Sequence, residues 1–194
     1  EAYLETDYSG VVPSMFERAV RDYTISRLTS SRQPAHASPY RLTQEKWRWF
    51  MLDDLFEIKK GKRLTKANQS EGQTPFIGAI DNSNGLSAWI DASPNHAGNV
   101  ITVVYNGAGV AEAFYQPEPF WASDDVNVLY PKFPLNVLRA MFLLPLFRQE
   151  KYRFSYGRKW HAERMRESKI KLPVTPMKAP DWDYMERYIA ELPV

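Results

Sequence analysis

Apolar positions in the first part of the chain follow helical spacing. Met15, Ala19 and Asp22-Tyr23 come after the turn Val12-Pro13-Ser14, and the Ser-, Thr- and Pro-rich stretch Thr29 to Pro39 then breaks the pattern. Residues 1–44 are therefore expected to be a helical extension and linker. The compact part is expected to begin at Trp47. There Trp47, Phe50, Leu52, Leu55, Phe56 and Ile58 form a mixed pattern that a short helix over Asp53 to Phe56 explains, and Lys60-Gly61-Lys62-Arg63 reads as a basic turn.

From Thr74 the rhythm becomes that of strands. The run Pro75 to Ile80 is closed by Asp81-Asn82-Ser83-Asn84-Gly85, and the Asn-Gly dipeptide predicts a tight turn into a return strand, Leu86 to Ile90. Val100 to Tyr105 is β-branched and continuous, as in a central strand, with a turn at Asn106-Gly107-Ala108-Gly109 and a partner strand from Val110 to Tyr115. Val126 to Tyr130 predicts another strand. Leu135 to Phe147 predicts a buried helix that Pro145 kinks or ends. Ile170 to Val174 is expected to close the sheet as an edge strand. Asp181-Trp182-Asp183 is expected to cap a last helix whose stripe Trp182, Met185 and Ile189 is a candidate partner-binding surface.

The fold class expected is α+β: a twisted, mainly antiparallel sheet with short peripheral helices, plus N-terminal and C-terminal helical attachments. The expected divisions are residues 1–44, a domain over 45–174, and a C-terminal helix or spacer over 175–194.

Charge changes this picture through its distribution. The chain of 194 residues carries a net charge of only +2. Residues 46–66 nevertheless hold seven basic and three acidic side chains, and residues 139–171 hold ten and three. The intervening 67–138 hold one and seven. Two basic stretches folded onto one face would leave the footprint expected of a phosphate-backbone contact, and solvation of an ordinary surface is the alternative.

Candidate chemistry is sparse. With no cysteine and three scattered histidines, thiolate sites and local metal motifs are excluded, and no apolar run is long enough to span a bilayer. A cytoplasmic protein is the expectation. Gly107-Ala108-Gly109 lacks the rest of a dinucleotide fingerprint, the lysines around Lys60 form no phosphate loop, and no serine sits in a nucleophile elbow. Asp124-Asp125, as neighbours on an extended segment, are expected to point apart rather than share a proton. The stretch Arg153 to Trp160 alternates cations with rings, so Arg158 and Lys159 are candidates for phosphate contact and Tyr156 for packing on sugar or base. Lys62, Arg63 and Lys66 are candidates for the same phosphate role, and the amides of Gln69, Asn82 and Asn84 suit base edges or phosphates.

The order of motifs resembles the target-recognition domain of restriction-modification specificity proteins, the type I specificity-subunit family and related type II systems. The likeness runs from Trp47 to Val174. It rests on Leu55-Phe56-Glu57-Ile58 with Gly61-Lys62, on Pro75-Phe76-Ile77, and on Ile101-Thr102-Val103 through Gly107-Ala108-Gly109. The run Phe120-Trp121-Ala122-Ser123-Asp124-Asp125-Val126-Asn127-Val128-Leu129 and the later Lys151 to Trp160 complete it.

The resemblance implies a noncatalytic reader of double-stranded DNA. It would direct an adenine-N6 methyltransferase or restriction nuclease, present as partner subunits or fused domains. S-adenosylmethionine and Mg2+ would be cofactors of that partner or of a missing domain, with none in this chain. It also implies Gly107 and Gly109 as turn formers and Trp121, Asp124 and Asp125 as scaffold. Family members of full size carry two such domains, so this chain is expected to be a self-associating half-sized subunit or a fragment, and its first residue, Glu1, favours a processed or truncated chain. Two other readings stay open: a domain that completes a methyltransferase or nuclease active site, and an adaptor that binds protein or RNA.

Overall fold

The computed structural model describes residues 46–107 and 109–192. The N-terminal extension expected over residues 1–44 lies outside them. Nine strands and four α-helices follow in the order β1 (Trp47–Met51), α1 (Leu52–Leu55), β2 (Phe56–Lys60), β3 (Glu71–Ile77), β4 (Leu86–Ile90), β5 (Val100–Val104), β6 (Ala113–Gln116), β7 (Trp121–Ala122), β8 (Val126–Pro131), α2 (Val137–Arg148), α3 (Ala162–Arg166), β9 (Lys169–Pro173) and α4 (Trp182–Ala190) among the described residues.

The strands form three small sheets rather than one: β2-β8-β5-β6, β4-β3-β7 and the ribbon β1-β9. Every pairing is antiparallel except that of β3 with β7. The four-stranded sheet is buried on both faces, which is why its centre reads as an unbroken apolar run rather than an alternation. Ile101, Val103 and Leu129 pack with Leu143 and Phe147 of α2, while Val100, Val126 and Val128 pack with Ile77 and Leu86 of the second sheet and with Phe120 just before β7. Beside that second cluster, His96 stacks on Phe120 and holds the Tyr130 hydroxyl at 2.9 Å from Nδ1. Burial pushes its imidazole pKa down. The Lys60 carbonyl opposes that shift, and the Lys59 charge adds to it.

Several expectations change in detail. The short helix starts and ends one residue earlier, and Phe56 opens β2. β9 does not close the main sheet; it pairs with β1 from Trp47↔Pro173 to Met51↔Lys169. β3 and β4 are antiparallel as expected, but their connection is a wide loop ending in a 3-10 turn, Ser83–Gly85, whose three residues all have positive φ. Gly85 belongs there because a Cβ would lie 3.0 Å from Ile77. β6 starts at Ala113, because Val110 and Ala111 are taken into a buried turn.

Asn136 caps α2 by accepting from the Arg139 amide at 2.9 Å, and the helix passes through Pro145 to Arg148. A proline in the last turn removes only one hydrogen bond near an end that is already short of partners. No helix among the described residues is long and apolar enough to cross a membrane.

α4 is capped by Asp181, which accepts from the Tyr184 amide at 2.9 Å. Its apolar stripe faces inward onto the core. Met185 is fully buried against α2, Trp182 stacks on Phe133 with centroids 3.7 Å apart, and Arg139 holds Glu186 at 2.8 Å and Asp183 at 3.1 Å. The C-terminal helix is thus part of the domain core. Met185→Ala should destabilise the fold by about 2–5 kcal/mol in chemical denaturation. A change within about 0.5 kcal/mol, the range of an ordinary surface substitution, would show that α4 is not docked.

Candidate nucleic-acid interface

The start of the basic loop after β2 is fixed by main-chain bonds. The Gly61 amide donates to the Val126 carbonyl at 3.0 Å and the Lys62 amide to the Ala122 carbonyl at 2.9 Å. A Cβ on Gly61 would sit 2.0 Å from the Ser123 carbonyl oxygen, so only glycine allows this approach. Beyond it Lys62, Arg63 and Lys66 are exposed. The Trp121 indole donates to the Lys62 carbonyl at 3.2 Å, the Lys62 ammonium lies 6.0 Å from the Trp121 ring, and Arg63 Nη1 lies 3.5 Å from Asp124 Oδ2. Gln69 bridges its own loop by donating to the Leu64 carbonyl at 3.1 Å.

The turn Ser123-Asp124-Asp125, between β7 and β8, also receives the loop after β5. The Tyr105 hydroxyl donates to the Asp124 carbonyl at 2.6 Å, the Tyr105 amide to the Asp125 carbonyl at 3.1 Å, and the Asn106 amide group to Asp125 Oδ1 at 2.6 Å. Burial raises the Tyr105 phenol pKa, and the charges of Asp125, Asp124 and Glu163 raise it further, so the hydroxyl stays a donor. Gly107 turns the chain with a left-handed φ of 87° in open space.

The second basic stretch reaches the same place. Phe154 and Trp160 are buried and stacked at 4.9 Å, which anchors both ends of the loop between them. The Trp160 amide donates to the Tyr105 carbonyl at 3.3 Å, and the buried Asn127 donates to the Trp160 carbonyl at 3.1 Å. Between these anchors Ser155 and Arg158 form a bridge, leaving Tyr156, Arg158 and Lys159 exposed, with the Lys159 ammonium 5.7 Å from the Tyr156 ring. Glu163 then ties the stretches together, binding Lys60 at 3.7 Å and His161 at 2.8 Å. Its carboxyl is held below the ordinary range, chiefly by its own backbone amide.

The structure therefore brings the segment that carries Lys62 and Arg63 close to the segment that carries Tyr156, Arg158 and Lys159, while Lys66 is exposed farther along the first loop. Asn84 lies away from this rim. Its side-chain amide donates to the Tyr115 carbonyl at 3.0 Å, its main-chain carbonyl accepts from buried Gln116 at 2.9 Å, and Gln116 pairs with Val100 at the opposite end of β5 from Tyr105. Asn82 is exposed in the same β3–β4 loop. Sequence reasoning missed Tyr105, Asn106, Lys60 and Glu163 as connectors. A polar residue just past an apolar strand was the available signal, but nothing in one dimension pairs residue 105 with residue 124. Among the described residues no group of three or more His, Asp or Glu side chains is placed to hold a metal ion.

Known proteins resemble this chain in sequence and in fold. A family model described as the type I restriction modification DNA specificity domain matches residues 44–193. The chain is 39% identical over 148 residues to the type II restriction enzyme BgcI specificity subunit S.BcgI of Heyndrickxia coagulans, a match spanning 75% of this chain and 43% of that protein. Its fold is similar to that of a type I restriction-modification S subunit from M. genitalium, with a TM-score of 0.57 and 17% identity over 91% of this chain and 42% of the other. It is similar also to the HsdS subunit from Thermoanaerobacter tengcongensis, with a TM-score of 0.55 and 16% identity over 89% of this chain and 44% of the other. The chain thus spans less than half the length of each of these relatives. With the family model spanning all of the described residues, the chain belongs to the type I restriction modification DNA specificity domain family.

Proposed function

We propose that this domain reads the sequence of double-stranded DNA and directs a partner or fused adenine-N6 methyltransferase or restriction nuclease to its target. The observation that carries the reading is that two basic segments, far apart in sequence, meet beside the Ser123-Asp124-Asp125 turn, the first through Gly61 and Arg63 and the second through Tyr105 and the Lys60–Glu163 pair. Family membership supplies the kind of polymer that such a rim meets.

In this reading Lys62, Arg63, Lys66, Arg158 and Lys159 fix the domain on phosphates, and the Tyr156 ring packs on sugar or base. Base edges are read from the loop that carries Gln69, whereas Asn82 stands with Asn84 in the β3–β4 loop away from this rim. Gln69 exchanges its bond to the Leu64 carbonyl for one to a base, whereas Asn84, with its amide already satisfied, holds the β3–β4 loop in shape. Catalysis belongs to the partner, together with S-adenosylmethionine and any Mg2+; this chain contributes position and choice.

Selection of duplexes from a randomised pool by the purified chain, at a stated salt concentration, tests the reading. Enrichment of one short motif is expected; retention with no enriched motif, alone and with the methyltransferase partner present, would contradict it. Replacing Arg158 and Lys159 together by Ala should weaken binding to all duplexes alike and reduce the salt slope by about 1 for each phosphate left without its cation. Unchanged affinity and slope in a folded double variant would remove the 153–160 loop from the interface.

A further inference from the structure

The rim that meets phosphate in the reading above also carries three carboxylates. Two of them join segments: Asp125 accepts from Asn106, and Glu163 holds both Lys60 and His161. Asp124 joins segments as well, but through its main-chain carbonyl, which accepts the Tyr105 hydroxyl. Its carboxylate has a different partner, Arg63, at 3.5 Å, and the pair is open to water, with the Arg63 side chain 77% and the Asp124 side chain 40% exposed. An exposed ion pair of this kind adds little to stability. A carboxylate facing a duplex repels it. Neither effect alone accounts for an acid at the centre of a phosphate-binding rim.

We propose that Asp124 is a positioning residue that stands in for phosphate: it holds Arg63 in the free chain and yields it when a duplex arrives. Because the pair is weak and exposed, a phosphate oxygen replaces the carboxylate with little loss. The guanidinium is kept at the Asp124 turn instead of sampling solvent, so it already stands at the rim before binding. The carboxylate left behind lowers affinity for every duplex, whatever its sequence, and so leaves a larger share of net binding to base contacts.

The inference rests on the DNA-reading function proposed above. Its test is the affinity of the whole chain for a duplex of random sequence across a salt series, for the wild type, Asp124→Asn, Arg63→Ala and the double variant. Asp124→Ser, which keeps the same backbone acceptor for Tyr105, is a second probe, and thermal melting checks that each variant folds. Removing the charge should raise affinity about two- to fivefold at low salt. The gain should shrink as salt rises. In the Arg63→Ala background it should fall to less than half, because there is no guanidinium left to release. Unchanged or weaker binding on loss of the Asp124 charge would overturn the proposal, as would a gain of equal size with and without Arg63, which would reduce Asp124 to bulk repulsion. A wild-type chain without salt-sensitive duplex binding would instead overturn the DNA-reading function itself, and this inference with it.

Discussion

The Ser123-Asp124-Asp125 turn is where the domain's separate loops are made into one surface. It accepts main-chain hydrogen bonds or close approach from the loop after β2, the loop after β5 and, through Tyr105, the segment entering Trp160. Backbone acceptors dominate these contacts, which keeps the junction largely independent of loop side-chain identity. Lys62, Arg63, Tyr156, Arg158 and Lys159 can therefore change without disturbing the positions from which they act. The one strict requirement is Gly61, where any Cβ would collide with the Ser123 carbonyl.

This junction is stiff because it stands at the end of a sheet buried on both sides. β5 and β8 pack against α2 on one face and against the β3-β4-β7 sheet on the other, so the turn between β7 and β8 has little room to shift. Buried Asn127 shows the coupling between layers: it sits within β8 and donates to the Trp160 carbonyl, holding the basic-aromatic loop to the central sheet. α4 completes the larger core with Met185 and Ile189. Burial on both sides thus fixes the positions of charges that themselves remain in water.

Much of this was legible in the sequence where a local rule decides. Continuous Val-rich strands, the Asp181 cap and the two basic stretches all follow from composition, capping or spacing, and the motif order was read through the family resemblance. What was not legible depends on non-local pairing. The affinity of β9 for β1 rather than for the main sheet, the inward face of α4 and the internal bonding of Asn84 each require knowing which residue lies opposite. Residue type alone makes Asn84 a candidate reader of bases, and an asparagine amide serves a neighbouring carbonyl, here that of Tyr115, equally well. Trp121, Asp124 and Asp125, read as scaffold through the family resemblance, do hold the neighbouring loops, and the Asp124 and Asp125 bonds to Tyr105 and Asn106 show how.

The central claim is that the two basic segments form one interface around that turn. Amide hydrogen exchange of the whole chain, with and without a saturating duplex, tests it most directly. Joint slowing across residues 61–69, 105–107, 122–126 and 153–161 is the expected result. Slowing confined to one basic segment, or found in the β1–β9 ribbon while the rim is unchanged, would contradict it.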